Sequence, residues 1–193
     1  YPKSLTKLYI TDASVLREYA FENAMNLKEI YISNTLQSVQ ENTFKEMRNL
    51  ELLSMPFVGQ KRGGTGTKEA TLNYMFANTW TGSVSGTTLC RAVVQNYTAS
   101  ASTTKYYSTK LKTLIINDET EIGYGAISNI PSLEEVILNE GVTTIHEYAF
   151  KNDTGIESLT IPNSVEILKN YYLQGCYNLN TLNVPFIGYN IND

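Results

Sequence analysis

The chain carries one histidine, His146, and two thiols, Cys90 and Cys176. A histidine beside a cysteine or serine makes a nucleophile, because the imidazole takes the proton that the attacking atom must lose. Nothing in the sequence brings His146 to Cys90, and with Glu147 and Tyr148 as its neighbours it reads as a surface or partly buried side chain. The other groups able to do chemistry are two acidic clusters, Asn117-Asp118-Glu119 and Asn152-Asp153. Both lack the spaced oxygen ligands and the glycine of a calcium loop. Since Asn and Asp bond their own backbone in turns, both read as turn chemistry. These residues imply no catalytic centre, no metal site and no cofactor, so the expected role is not enzymatic.

Charge narrows the partners. The net charge is −4 with a pI near 5.1, and no face or run concentrates lysine and arginine. A nucleic-acid partner is therefore not expected, and the Lys61-Arg62 pair reads as solvated loop charge. No stretch approaches the roughly 18 consecutive apolar residues that cross a bilayer, so no membrane insertion by this segment is expected.

The elements that position these residues come from an internal repeat. Leu5-Leu8-Ile10, Leu27-Ile30-Ile32, Leu50-Leu53-Met55, Leu111-Leu114-Ile116, Leu133-Val136-Leu138, Ile156-Leu159-Ile161 and Leu179-Leu182-Val184 are copies of one phrase. Neighbours lie 22 or 23 residues apart, except across one 61-residue gap. A period of this length is the signature of a solenoid. Within each phrase apolar and polar positions alternate, as a short half-buried strand requires. A second apolar group follows in five copies, such as Val142, Ile145, Ala149 and Phe150, and fills the interior from the convex side. No copy buries its apolar face alone, so stacked neighbours must share one continuous core.

A longer period overlies the short one. Met55-Pro56-Phe57-Val58-Gly59 and Val184-Pro185-Phe186-Ile187-Gly188 stand 129 residues apart, and aligning 27–59 with 156–188 gives eight identities. The chain is expected to be a segment of a longer protein that holds several such super-repeats.

Three regions follow: leucine-rich repeats over 1–59, a Thr/Ser/Gly-rich insertion over 60–110, and leucine-rich repeats over 111–193, ending at the start of a further cycle. In the insertion 21 of 51 residues are Thr, Ser or Gly, a composition that also suits a disordered linker. Its many large apolar residues favour an ordered, β-containing segment packed on the solenoid. A short helix over Ala70–Ala77 and a strand over Cys90–Tyr97 are expected, with Thr98–Thr104 as a mobile tip.

Residues Leu133–Asp153 and Ile156–Cys176 carry a resemblance. Val142, Ile145, Ala149-Phe150, Ile161-Pro162, Val165 and Gly175-Cys176 are similar to the unit of the BspA-like leucine-rich repeats of bacterial and some protist surface proteins. The Pro-Phe-Val-Gly sequence followed by Leu72-Asn73-Tyr74-Met75-Phe76 resembles a variant in very large surface proteins of gut bacteria. The match weakens where Ala24 and Met47 replace the Gly-Cys site, and where Ile127 and Ile130 replace Phe and Cys. The resemblance implies a solenoid with short parallel β-strands on a concave face and short helical or irregular convex segments. It also implies an extracellular or cell-surface location and a role in adhesion or binding without catalysis. Cys176, at the Gly-Cys position, is expected to be a small buried hydrophobe. A disulfide to Cys90 is not expected, because stacked turns touch only their neighbours.

Two surfaces are candidates for binding a host or bacterial surface protein, or a glycan. On the concave sheet, neighbouring rows place Tyr9 beside Tyr31 and Ile115 beside Ile137, with Glu29 and Glu135 next to them. Exposed aromatic and aliphatic groups there are contact anchors, although cross-strand ladders also stabilise a sheet on their own. On the insertion, Trp80, Tyr97, Tyr106 and Tyr107 are the candidates, since long loops on a rigid scaffold often carry recognition. The alternative role is a spacer that holds other domains of a large surface protein away from the cell.

Overall fold

The structure is a computed structural model that describes residues 2–22, 24–78 and 89–191. In chain order its strands begin β1 (Lys7–Ile10), β2 (Val15–Leu16), β3 (Glu29–Ile32), β4 (Ser38–Val39) and β5 (Leu52–Met55). They continue as β6 (Cys90–Asn96), β7 (Ser102–Ser108), β8 (Thr113–Ile116), β9 (Glu121–Ile122) and β10 (Glu135–Leu138), then β11 (Thr144–Ile145), β12 (Ser158–Thr160), β13 (Ile167–Leu168) and β14 (Thr181–Asn183).

The seven leucine phrases wind into a coil with one concave strand per turn. Five strands pair in parallel in the order β1-β3-β5-β8-β10, and β12 pairs with β14 in a separate two-stranded ladder. β5 pairs directly with β8, so the long gap in the repeat leaves the ladder intact. Alternation sets the faces: Ile30, Ile32, Leu53 and Leu114 point inward and are almost completely buried, while Tyr9, Glu29 and Tyr31 point out. One turn's apolar phrase packs on the next, so the core is a column rather than a sphere.

On the convex side the chain forms two-residue parallel strands, β2 with β4, and β9 with β11 and β13. The expected helical segments are not taken there. Val39, Ile122, Ile145 and Leu168 are the buried members of these pairs, and the extended backbone that β-branched residues favour lets each turn bond to its neighbour. The corner that follows needs a left-handed residue. Tyr19, Asn42, Gly125, Tyr148 and Tyr171 occupy it in five turns, with φ between 56° and 63°. Glycine and asparagine adopt this conformation cheaply, whereas tyrosine pays on the order of 1 kcal/mol. Stacking offsets that strain: the Tyr148 and Tyr171 rings lie 5.6 Å apart at 9°, and Lys151 Nζ sits 4.9 Å from the Tyr148 ring centre.

Residues 60–76 complete the convex half of the third turn. Val39 N–H donates to Gln60 O, Phe44 N–H to Met75 O, and Leu72 N–H to Ala126 O, so this segment bonds to the turns on both sides. Phe76 continues the row of Phe21 and Phe44, with ring centres 5.2 and 5.6 Å apart. The helix expected over Ala70–Ala77 is instead two 3-10 turns, Lys68–Ala70 and Leu72–Met75, followed by extended backbone. The strand expected over Cys90–Tyr97 is β6. It forms an antiparallel hairpin with β7, which takes in Ser102–Thr104, so the tip is confined to the turn that Ala101 closes onto Tyr97.

Candidate ligand-binding faces

The concave row begins at Tyr9, which lies opposite Tyr31, and continues through Ser54, Ile115 and Ile137. The Tyr9 and Tyr31 rings stack at 4.8 Å and 13°, and Tyr9 remains 60% exposed. The row beside it pairs Lys7 with Glu29 at 2.7 Å. Tyr31 donates its hydroxyl to the same carboxylate at 2.8 Å. The Lys7 bond, then the Tyr31 bond, holds Glu29 below its usual range, and the Glu29 bond raises Tyr31. The result is a preorganised patch, with one aromatic ring braced from below and a cation and an anion fixed beside it.

The middle of the row is different. Ser54 is buried and accepts a hydrogen bond from Asn117 Nδ2, and Ile115 is half-buried. Ile137 is exposed, as is Glu135, which accepts from Thr113 Oγ1. They line a hollow of about 490 Å³, together with Glu157, Ser158 and Thr160, where the ladder breaks between β10 and β12. The concave candidates therefore form two groups: Tyr9, Glu29 and Tyr31 at one end, and Ile115, Glu135 and Ile137 at the other.

The insertion candidates do not assemble. Trp80 lies outside the described residues. Tyr107 is 1% exposed, stacks on Phe76 at 4.0 Å and donates its hydroxyl to Gln95 Oε1, so it is core and not contact surface. Tyr106 points to the opposite side of the hairpin and is half-buried, and Tyr97 is half-buried beside the tip.

Several polar residues have roles that sequence reading assigned otherwise. Arg62 is no solvated loop charge. It packs 5.3 Å from the Phe57 ring centre, pairs with the Asp118 carboxylate and donates to the Asn34, Leu36 and Asp118 carbonyls. Glu119 is buried and accepts from the Val58, Gly63 and Thr120 amides, tying the start of the insertion to the next turn. Asp153 is fully buried, accepts from Ile130 N–H at 2.7 Å and leaves its second oxygen without a partner. Burial pushes both carboxyls up, Asp153 well above its usual range. Turn chemistry described neither residue. The only signal was an acid at a position where the repeat places a core-adjacent residue.

His146 Nε2 lies 2.7 Å from Glu121 Oε2, and among the described residues no thiol or hydroxyl bonds to that imidazole. Cys90 and Cys176 are both free. Burial pushes the Cys90 thiol up to about 12 and Cys176 up to about 11, away from the thiolate a nucleophile needs. Cys176 is half-buried, not fully buried as expected, and its thiol points at Phe150 O. No cluster of three or more metal-ligating side chains exists among the described residues, and no helix is long and apolar enough to cross a membrane.

A parallel coil of leucine phrases with its binding surface on the strands defines a leucine-rich repeat solenoid. The chain belongs to the BspA-type leucine-rich repeat family, whose model matches six copies over residues 1–61 and 94–193. Two solved structures are similar to it. A leucine-rich repeat protein from Bacteroides ovatus ATCC 8483 is 18% identical, with a TM-score of 0.52 over 95% of this chain and 44% of that one. A leucine rich cell surface protein from Faecalibacterium prausnitzii A2-165 is also 18% identical, with a TM-score of 0.46 over 92% of this chain and 38% of that one. The chain thus spans less than half the length of either. Comparison with curated proteins finds no match.

Proposed function

We propose that this chain is a non-catalytic adhesion and binding module of an extracellular cell-surface protein, and that it recognises a protein or glycan ligand through its concave sheet. The observation that carries this reading is the Tyr9–Tyr31 pair: one ring is open to solvent and the other is fixed beneath it by Glu29. A ring held rigid before contact binds at low entropic cost, which is why tyrosine dominates many contact surfaces. Surface placement rests on the family to which the repeats belong.

The test is a screen of the 193-residue chain against immobilised matrix proteins, mucins and a glycan array, with a Tyr9→Ala, Tyr31→Ala double variant alongside. Saturable binding weakened by about 2 kcal/mol or more in the variant supports the reading. Failure of the folded chain to bind any of them supports the second reading, a spacer. That reading has its own observation. The bond from Val39 N–H to Gln60 O recurs between Leu168 N–H and Tyr189 O, 129 residues on, as a module built for repetition would show.

A further inference from the structure

The β6–β7 hairpin has an open edge. Thr109 N–H donates to Leu89 O, and Tyr97 N–H to Ala101 O, which fixes the phase of the antiparallel pairing. Arg91, Val93 and Gln95 therefore use their backbone groups on β7, and Cys90, Ala92, Val94 and Asn96 turn theirs to the other side. At one end that side is docked. Val94 O accepts from Asn129 Nδ2 at 2.6 Å, and Asn96 O lies so close to Gly125 that a Cβ there would approach to 2.0 Å. Towards Cys90 the strand draws away from the coil. The outward groups of Cys90 and Ala92, and the N–H of Val94, have no hydrogen bond among the described residues. Natural edges of this kind are covered or guarded, because an unpaired strand is a template for another.

What the divergence leaves is a groove. Two hollows of about 250 and 410 Å³ share Arg91, Val93 and Pro131, and extend from Tyr107 at one end to Thr154 at the other. Arg91 is the only charged residue lining either hollow. It is exposed and has no ion pair or side-chain hydrogen bond among the described residues.

We propose that the Cys90–Val94 edge of β6 is a docking site for an extended, acid-bearing segment of a partner protein, which adds to the hairpin as a further strand and sets a carboxylate against Arg91. Main-chain bonds to Ala92 and Val94 supply affinity, and the guanidinium selects the acid. The site is separate from the Tyr9–Tyr31 patch, so the two readings stand or fall independently.

The experiment titrates the isotopically labelled chain with an acetylated and amidated heptapeptide, Thr-Val-Thr-Asp-Val-Thr-Val, followed by NMR. Saturable shifts and slowed exchange at the Ala92 and Val94 amides are expected. Arg91→Glu weakens binding by about tenfold, and replacing the peptide aspartate by lysine restores it. Alternate N-methylation of the peptide, which leaves the protein untouched, abolishes binding, and the Tyr9→Ala, Tyr31→Ala variant binds as the parent does. Equal binding of the methylated peptide, indifference to Arg91→Glu, or shifts confined to other strands overturn the proposal. A doubling of mass without peptide that Ala92→Pro abolishes also overturns it, because the occupant is then a second copy of the chain.

Discussion

Asp153 holds a carboxyl in the coil with one oxygen bonded and the other unpartnered. Burial raises its pKa well above the ordinary value. Between that ordinary value, about 3.9, and the raised one, the folded chain keeps a proton that the unfolded chain has released. Its contribution to stability is therefore full in acid and is lost as pH rises through the folded pKa. Urea unfolding at a series of pH values should show the parent weakening from about pH 4 upward relative to Asp153→Asn, with the acid-dependent part of the curve absent in the variant. A variant curve that follows the parent's would assign the pH dependence to another group. The exposed pairing of Tyr9 with Tyr31 was legible from period-2 alternation, since strand position alone fixes the face. The burial of Asp153 was not, because the repeat places it in a turn and its surroundings come from elsewhere, Tyr107 on the hairpin and Cys176 on the next turn being charge-coupled to it.

The insertion illustrates how elements are held. Lys105 on β7 is almost fully buried, with Nζ 2.8 Å from Glu41 and 3.2 Å from Asn42 Oδ1 on the coil. Removing one partner of such a pair costs more than replacing the charge by an apolar chain. Glu41→Ala should thus destabilise by about 2–3 kcal/mol, the usual penalty discounted because Glu41 is a third exposed, whereas Lys105→Met should be near neutral. Chemical denaturation of the two variants checks the asymmetry. Glu119→Ala should loosen the entry to the insertion, and faster amide exchange at Val58 and Gly63 is the readout. The sequence indicated the β6 strand and the ordered character of this region, because its apolar residues were too many for a tether. It did not indicate that Met75-Phe76 stands where Thr43-Phe44 does one turn earlier. The residues added between Gly59 and Phe76 hide the period, and only the Phe21–Phe44–Phe76 row restores it. The convex two-residue strands are too short to show any periodicity.

At the scale of the molecule, stability is a sum of contacts between neighbouring turns. Leu114→Ala, in the middle of the column, should cost about 2–5 kcal/mol and release the turns on either side unequally, which hydrogen exchange resolved along the chain would show. The architecture was readable from the leucine spacing because every turn repeats the same few requirements. The break in the concave ladder was not, since the phrase at Ile156–Ile161 is as regular as the others. That break between β10 and β12 lies at a different height from the one on the convex side, between β4 and β9. The β9–β11–β13 ladder runs behind the first, and the β5–β8 pair runs behind the second. The two seams overlap like staggered joints in brickwork, so a pull along the coil axis meets hydrogen-bonded backbone at every level and finds no single plane along which to part.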